Sequence, residues 1–167
     1  FPTLDHLVPP PPLDATFSWI LRPAGGTYQG RIYTDGSRID GTDPRTARNC
    51  WAFVVLDDAG EIVAKACGSP PAWIDDISGS EPWALLQAAI GAEPDCRVYC
   101  DCQPCVPAIH AGTAWATSDR RRHARVHGMV AAAWDDLNSS NLIWMPAHCG
   151  LESVGIKFKG DGTPLNA

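Results

Sequence analysis

The sequence is poor in positive charge and has no long apolar run. Lys and Arg total 13 of the 167 residues, against 19 Asp and Glu, so the formal net charge is −6. Domains that bind duplexes are usually basic, and composition alone therefore does not suggest a nucleic-acid partner. No apolar run approaches the length of a bilayer span, and the N-terminal stretch lacks the basic-then-apolar order of a signal peptide. We expect no membrane association and an intracellular setting, cytoplasmic or nuclear.

Charged residues are also too few for a disordered, solvated chain. They make up 19% of the sequence, whereas hydrophobic residues make up 45%, which is typical of a globular domain with a core. The seven cysteines are an odd number, so they cannot all pair within the chain, and reduced thiols are expected.

Proline is concentrated near the N-terminus, where residues 9–12 are four consecutive prolines. Such a run favours the extended polyproline conformation and supplies no backbone donors. We predict that residues 1–26 are a proline-rich linker, in which Phe17, Trp19 and Ile20 would dock on the domain. Residues 27–167 are predicted to form that domain.

Hydrophobic periodicity predicts an α/β fold. Apolar or alternating runs predict strands over residues 30–35, 50–56, 61–67, 97–101 and 141–145. Helical spacing predicts helices over residues 80–90 with Ser80 as the N-cap, in the segment that ends at Ala111, and over residues 120–137. This order predicts a five-stranded mixed sheet, with three antiparallel strands followed by parallel strands, flanked by helices.

Three carboxylates stand out in this arrangement. Asp35 and Asp101 would end two strands that are parallel neighbours, and Glu81 would lie in the first turn of the helix between them. A strand-end aspartate can simply cap a turn, but three acids at one sheet edge repel one another unless a cation lies between them. Ligands also commonly bind at this edge of a parallel sheet. The three residues therefore predict a metal site.

Oxygen ligands of this kind select Mg²⁺ or Mn²⁺. Two such ions would hold and polarise a phosphodiester and would lower the pKa of an attacking water, so phosphodiester hydrolysis is the expected reaction. His148 follows the last predicted strand, where it would suit proton transfer near neutral pH. The alternative is an ordinary exposed loop histidine. The other four histidines (His6, His110, His123 and His127) are predicted to be solvated.

Four short motifs resemble those of type 1 ribonucleases H. Residues 33–37 (YTDGS) resemble the opening motif of that family, and Glu81 before residues 83–85 (WAL) resembles its Glu-x-x-Ala-Leu helix. Residues 101–103 (DCQ) resemble its Asp-Ser-Gln, and residues 146–150 (PAHCG) its His-x-Gly loop. The resemblance extends from Tyr28 to about Gly150.

The resemblance implies a ribonuclease H-like fold and cleavage of the RNA strand of an RNA–DNA hybrid. It implies that Asp35, Glu81 and Asp101 bind two metal ions and that His148 assists proton transfer or product release. Gln103 would touch the minor groove of the hybrid, although a polar residue at a helix start is a simple alternative. Family members in retroelements suggest a larger polyprotein with a reverse transcriptase as the context.

Residues 119–125 (DRRRHAR) are the densest basic segment and would open the last long helix. They would either grip the phosphates of the hybrid or form a solvated helix start. The residues expected to contact nucleic acid are Gly36, Ser37, Gln103, Arg120, Arg121 and Arg122.

Four cysteines lie within ten residues, at Cys96, Cys100, Cys102 and Cys105. They invite a zinc interpretation, but paired C-x-x-C knuckles are absent, and buried thiols are the expected outcome.

The sequence departs from the family at its C-terminal end. The family has a fourth metal-binding aspartate in an Asn-x-x-Ala-Asp helix after the histidine loop, and this helix has no counterpart here. We therefore expect that the final helix is missing by truncation. Asp161 is the one aspartate after His148, but Lys-Gly-Asp-Gly-Thr-Pro is typical of a turn.

Three alternatives to an active nuclease follow from these motifs. The first is a degenerate ribonuclease H-like domain that serves as a scaffold or hybrid clamp. The second is another nuclease of the same fold, in which the acids would come in a different order. The third is a zinc-binding interaction module.

Overall fold

In a computed structural model of the chain, the described residues are 14–39, 43, 46–137 and 139–165. The four-proline run of the predicted linker lies outside them. Within them the chain forms six strands and four helices, with short 3₁₀ turns at Ser139–Asn141 and Leu151–Ser153. In chain order these are β1 (Ser18–Leu21), β2 (Arg31–Ile39), β3 (Arg48–Leu56), β4 (Ile62–Gly68), α1 (Ile77–Ala89), β5 (Arg97–Cys100), α2 (Cys105–His110), α3 (Thr113–Ala116), α4 (Ala124–Leu137) and β6 (Leu142–Trp144).

All six strands join one mixed sheet in the order β1-β4-β3-β2-β5-β6. Neighbours from β1 to β2 are antiparallel, whereas β2, β5 and β6 are parallel. Helices α1 and α4 pack against each other, and α1 covers β2 and β3. The predicted α/β class, with antiparallel strands followed by parallel strands and flanking helices, is confirmed.

The predicted number of strands is wrong, because the sheet has six strands rather than five. The additional strand, β1, lies within the segment that was predicted to be a linker and pairs with β4 through Trp19 and Ala66. Phe17 contacts Trp51 with ring centroids 5.2 Å apart, and Trp19 contacts Phe53 at 5.9 Å. Burial of these aromatic surfaces stabilises the pairing of this segment with the edge of the sheet.

Helix α1 begins earlier than predicted, because Asp76 rather than Ser80 is its N-cap. The Asp76 carboxylate accepts a hydrogen bond from the Gly79 amide at 3.0 Å, which satisfies a donor that the first turn leaves open. The first turn contains Ser78 and Gly79, which have low helix propensity, and the sequence therefore does not indicate that the helix begins there. Pro82 therefore lies inside the helix. Ten of its thirteen residues are buried, so α1 is the central helix of the domain.

Helix α4 begins at Ala124 rather than at Arg120. The arginines before it form a turn, in which the Arg121 amide donates to the Ser118 carbonyl at 3.0 Å. Val126, Val130 and Trp134 face the core, as the helical spacing predicts.

The chain after β6 continues along the sheet. The Gly160 amide donates to the Trp144 carbonyl at 2.7 Å, and the ammonium group of Lys159 lies 4.7 Å from the centroid of the Tyr99 ring. In the part of the chain described, no helix has both the length and the apolar character to cross a bilayer.

Candidate metal centre

Asp35 lies in β2 and Asp101 directly follows β5, the neighbouring parallel strand. Thr34 of β2 is paired with Cys100 of β5, and each aspartate directly follows one of these residues. The prediction that Asp35 ends its strand is wrong, because β2 continues to Ile39 and pairs Gly36 with Trp51 of β3. It is β5 that ends here, so the aspartates meet where the parallel part of the sheet stops.

Glu81 reaches the same place from α1, in the second turn of the helix rather than the first. Its carboxylate accepts a hydrogen bond from the Gly36 amide at 3.1 Å. A Cβ at Gly36 would lie 2.5 Å from the Glu81 nitrogen, so only glycine allows this close approach of helix and strand. Glu81 is 9% exposed.

The pKa values of all three carboxyl groups are raised. Burial raises the pKa of Glu81 to about 8, and the negative charges of Cys102, Asp101 and Asp35 add to this effect. Burial also raises the pKa of Asp35, and burial together with the charge of Asp35 raises that of Asp101. Such a cluster is stabilised by a bound cation.

Two carboxylates and one thiol lie close enough around Asp101 to hold a cation. Glu81, Cys100 and Asp101 each offer a ligand atom within 4.8 Å of the others. The Asp101 Oδ1 atom is buried without a hydrogen-bond partner among the described residues, and the Trp144 indole donates to the Asp101 carbonyl at 3.3 Å. The carboxylate oxygens of Glu81 and Asp101 are the donor type that Mg²⁺ and Mn²⁺ prefer, whereas the Cys100 sulfur is not. Asp35 is not part of this group, although its charge raises the pKa of both Glu81 and Asp101. The carboxylates therefore fit the predicted metal.

His148 lies in the loop between β6 and the 3₁₀ turn at Leu151–Ser153, where it is exposed. When charged, it lowers the pKa of both Asp35 and Asp101, so the imidazole lies within electrostatic range of these carboxylates. Its φ angle of 48° is unusual for a residue with a side chain and points to a constrained loop.

Three of the residues predicted to bind nucleic acid are close to these carboxylates in the sequence and differ in their exposure to solvent. Gln103 is exposed, two residues after Asp101. Ser37 is half-buried in β2, opposite Cys50. Gly36 is buried beneath α1, and its close contact with Glu81 explains why it is glycine.

The three consecutive arginines before α4 also differ from one another. Arg120 is exposed. The Arg121 guanidinium lies 3.6 Å from the centroid of the Trp115 ring. Arg122 forms ion pairs with Asp75 at 3.0 Å and Asp76 at 2.9 Å, so its charge is already matched within the chain.

Two histidines that were predicted to be solvated are buried. The His123 side chain is 6% exposed, and its Nε2 atom lies 2.8 Å from the Asp76 carboxylate. His127 is 5% exposed on the inner side of α4. Asp75, Asp76 and His123 form a second group that could hold a metal, but the cap of α1 and the ion pairs of Arg122 already account for it.

The four clustered cysteines do not converge on one point. The Cys96 thiol donates to the Tyr28 carbonyl at 3.2 Å, at the start of β5, whereas Cys100 lies at the other end of that strand. Cys102 and Cys105 follow, and their sulfur atoms are 2.8 Å apart. The prediction of buried thiols holds for Cys96, Cys100 and Cys105, and Cys102 is half-buried.

Asp161 belongs to a turn, as its sequence indicates. Its carboxylate accepts hydrogen bonds from the Thr163 amide at 2.9 Å and the Thr163 hydroxyl at 2.6 Å. Its pKa is lowered, because these bonds and the charges of Lys159 and Arg97 outweigh the effect of burial. Arg97 begins β5, so Asp161 lies toward the opposite end of that strand from Asp101.

Comparisons with known proteins find a likeness in structure only. No protein-family profile and no curated protein matches the chain. The solution structure of the PFV RNase H domain is 16% identical, with a TM-score of 0.45, over 75% of this chain and 82% of that one. The crystal structure of RNase H1 from the halophilic archaeon Halobacterium salinarum NRC-1 is 19% identical, with a TM-score of 0.45, over 73% of this chain and 86% of that one. These identities are too low to assign an activity.

Proposed function

We propose that this chain is a metal-dependent endonuclease that hydrolyses the RNA strand of RNA–DNA hybrids. The observation that carries the proposal is the meeting of Glu81 and Asp101 near Asp35, where the parallel pairing of β2 with β5 stops. Three carboxylates with raised pKa values, and a buried oxygen without a partner among the described residues, are costly without a cation. A site of this kind is expected to have a function rather than a stabilising role.

Asp35, Glu81 and Asp101 would hold two Mg²⁺ or Mn²⁺ ions. When bound, such ions polarise a phosphodiester and lower the pKa of a coordinated water. Glu81 must lose its proton to act as a ligand, and its hydrogen bond from Gly36 favours the charged form. That hydrogen bond also fixes the direction in which the carboxylate points.

His148 is the residue proposed to move a proton. It is exposed to solvent and lies within electrostatic range of Asp35 and Asp101, so it can exchange protons with water beside the reacting phosphate. An imidazole changes its charge in the neutral range, which suits either proton transfer or release of the anionic product.

The hybrid would be held by polar groups around the centre and by the basic segment before α4. Ser37 and Gln103 each lie two residues after one of the aspartates in the sequence. The Gly36 backbone amide contacts the Glu81 carboxylate. Arg120 and Arg121 would contact phosphates, a contact that makes affinity depend on salt. In view of the resemblance to type 1 ribonucleases H, a family with members in retroelements, we propose that the chain is part of a polyprotein with a reverse transcriptase.

A cleavage assay on an RNA–DNA hybrid, double-stranded RNA and double-stranded DNA, with and without Mg²⁺, tests the function. We expect Mg²⁺-dependent cuts in the RNA of the hybrid alone. Asp101→Asn should reduce the rate by orders of magnitude, whereas Asp161→Asn, a matched change away from the centre, should not. Hybrid binding without cleavage by the unaltered chain would instead support the non-catalytic clamp.

A further inference from the structure

Two thiols lie in contact immediately after Asp101, within the segment Cys102-Gln103-Pro104-Cys105. Their sulfur atoms are 2.8 Å apart. The backbone closes a turn between them, since the Cys105 amide donates to the Cys102 carbonyl at 3.0 Å. Neither sulfur has a role in the proposed nuclease.

The geometry favours a covalent bond between these sulfurs over a shared metal. A four-residue turn brings its first and last Cα atoms within about 7 Å, and a disulfide requires a Cα separation of about 4.4–6.8 Å. Two thiolates on a tetrahedral zinc ion, each about 2.3 Å from the metal, would hold their sulfurs about 3.8 Å apart. The observed separation is shorter than that.

The two sulfurs differ in their access to solvent. Cys102 is half-buried, whereas Cys105 is 1% exposed and packs in the core at the start of α2. A dissolved oxidant therefore reacts with Cys102 first. Cys105 then lies in position to attack the modified Cys102 sulfur and release the part of the oxidant that is bound to it. Cys96, also buried, is directed elsewhere, because its thiol donates to the Tyr28 carbonyl. Cys100 is buried beside Cys102, whose amide donates to Cys100 Sγ at 3.4 Å and whose thiol is hydrogen-bonded to it. The sulfur contact of 2.8 Å is the one between Cys102 and Cys105.

We propose that Cys102 and Cys105 are a reversible oxidation site, which small-molecule disulfides such as oxidised glutathione convert into an intramolecular disulfide. The Cys102 sulfur attacks one sulfur of the reagent, the reagent's S–S bond breaks, and one glutathione leaves as a thiol with the Cys102 proton. The Cys105 sulfur then attacks Cys102 Sγ and releases the second glutathione with the Cys105 proton. The protein loses two electrons and the reagent gains them.

The cysteines of the chain are all free in the structure. Disulfides inside cells are usually transient and serve catalysis or redox sensing. Cys102 directly follows Asp101 in the chain, so the carboxylate and the disulfide would lie in one short segment. The proposal does not depend on nuclease activity, because its test measures the sulfur chemistry directly.

The test is to treat the reduced 167-residue chain with oxidised glutathione, alkylate the remaining thiols and map the peptides by mass spectrometry. We expect one cross-link between Cys102 and Cys105, a mass lower by two hydrogen atoms, five alkylated cysteines, and reversal by dithiothreitol. Cys105→Ser should stop at a glutathione adduct on Cys102, and Cys102→Ser should leave Cys105 unmodified. Cys149→Ser, a change of another partly buried thiol, should not alter the cross-link.

Two outcomes would overturn the proposal. One is alkylation of both Cys102 and Cys105 after treatment of the unaltered chain, or a cross-link that joins other cysteines. The other is stoichiometric zinc in the purified chain that is lost in Cys102→Ser, which would make the pair part of a metal site. The mapping of the unaltered chain decides the proposal even if a serine variant fails to fold.

Discussion

The backbone amide of Gly36 donates a hydrogen bond to the carboxylate of Glu81 at 3.1 Å, and this contact joins the sheet to the central helix at the candidate metal centre. It requires a strand residue without a side chain, because any Cβ at position 36 would overlap the Glu81 backbone. Gly36 therefore has a structural role that its place in the YTDGS motif does not reveal.

Gly36→Ala should move α1 away from β2 and destabilise the chain. The added methyl group meets backbone rather than a flexible side chain, so the loss should be about 1–3 kcal/mol. The free energy of unfolding in urea measures it. Gly25→Ala is the matched control, since a Cβ there would have no heavy atom of the described residues within 4 Å apart from those of its chain neighbours. Equal stability of the two variants would contradict the close contact.

Glu81 should make the metal-free protein less stable as pH rises. Its pKa in the folded chain is about 8, above the ordinary value of 4.5, so its contribution is fully present below that ordinary value and is lost as pH rises through about 8. In EDTA, the Tm of the unaltered chain should fall relative to that of Glu81→Gln between pH 5 and pH 8. Thermal unfolding at several pH values measures the difference.

Mg²⁺ should reverse this loss in the unaltered chain, because bound metal favours the charged carboxylates. Glu81→Gln should respond much less to the metal. A constant difference in Tm between the two proteins across the pH range would show that Glu81 titrates normally.

The arginines before α4 should contribute unequally to hybrid affinity. Arg120→Ala and Arg121→Ala should each weaken binding and lower the slope of log K against log salt by about 1, as expected for a lost phosphate contact. Arg122→Ala is the internal comparison and should change the slope little, because Asp75 and Asp76 already pair with that residue. Fluorescence anisotropy over a range of KCl concentrations measures the slopes. Equal effects of all three variants would count against this division.

Asp76→Ala should destabilise the chain by about 1–2 kcal/mol, because it removes the N-cap of α1. It also removes the partner of the buried His123. Asp75→Ala is the matched control and should cost less, since its ion pair with Arg122 is largely exposed. Urea unfolding measures both variants. A larger loss for Asp75→Ala would contradict the assignment of Asp76 as the cap.

Some of the pH dependence should also arise from Asp76. Its pKa is lowered, because hydrogen bonds from Ser78, His123 and Gly79 outweigh the effect of burial. The stability that it contributes is present above its ordinary pKa and is lost as pH falls through the lowered value. Asp76→Ala should therefore reduce the acid sensitivity of unfolding below pH 4, the opposite end of the range from Glu81.

Local sequence predicted the elements that alternate or repeat regularly. The run at residues 50–56 indicated β3, and the apolar spacing of Val126, Val130 and Trp134 indicated α4. The start of α1 was missed because Ser78 and Gly79 favour helices poorly, and β1 was missed because a short edge strand depends on its partner. Contacts distant in sequence outweighed local preference in both cases.

The sequence by itself determined the α/β class, the order of the main elements, and the three carboxylates that make a metal site worth testing. The order of elements along the chain and the chemistry of the side chains are local properties, and short segments of sequence indicate them. Only the tertiary structure decided that β2 continues past Asp35 and that Cys102 contacts Cys105. It also decided that Arg122 pairs with Asp75 and Asp76 and that the His123 side chain is buried. Those outcomes depend on which surfaces meet after folding, because burial and pairing arise from residues far apart in the chain.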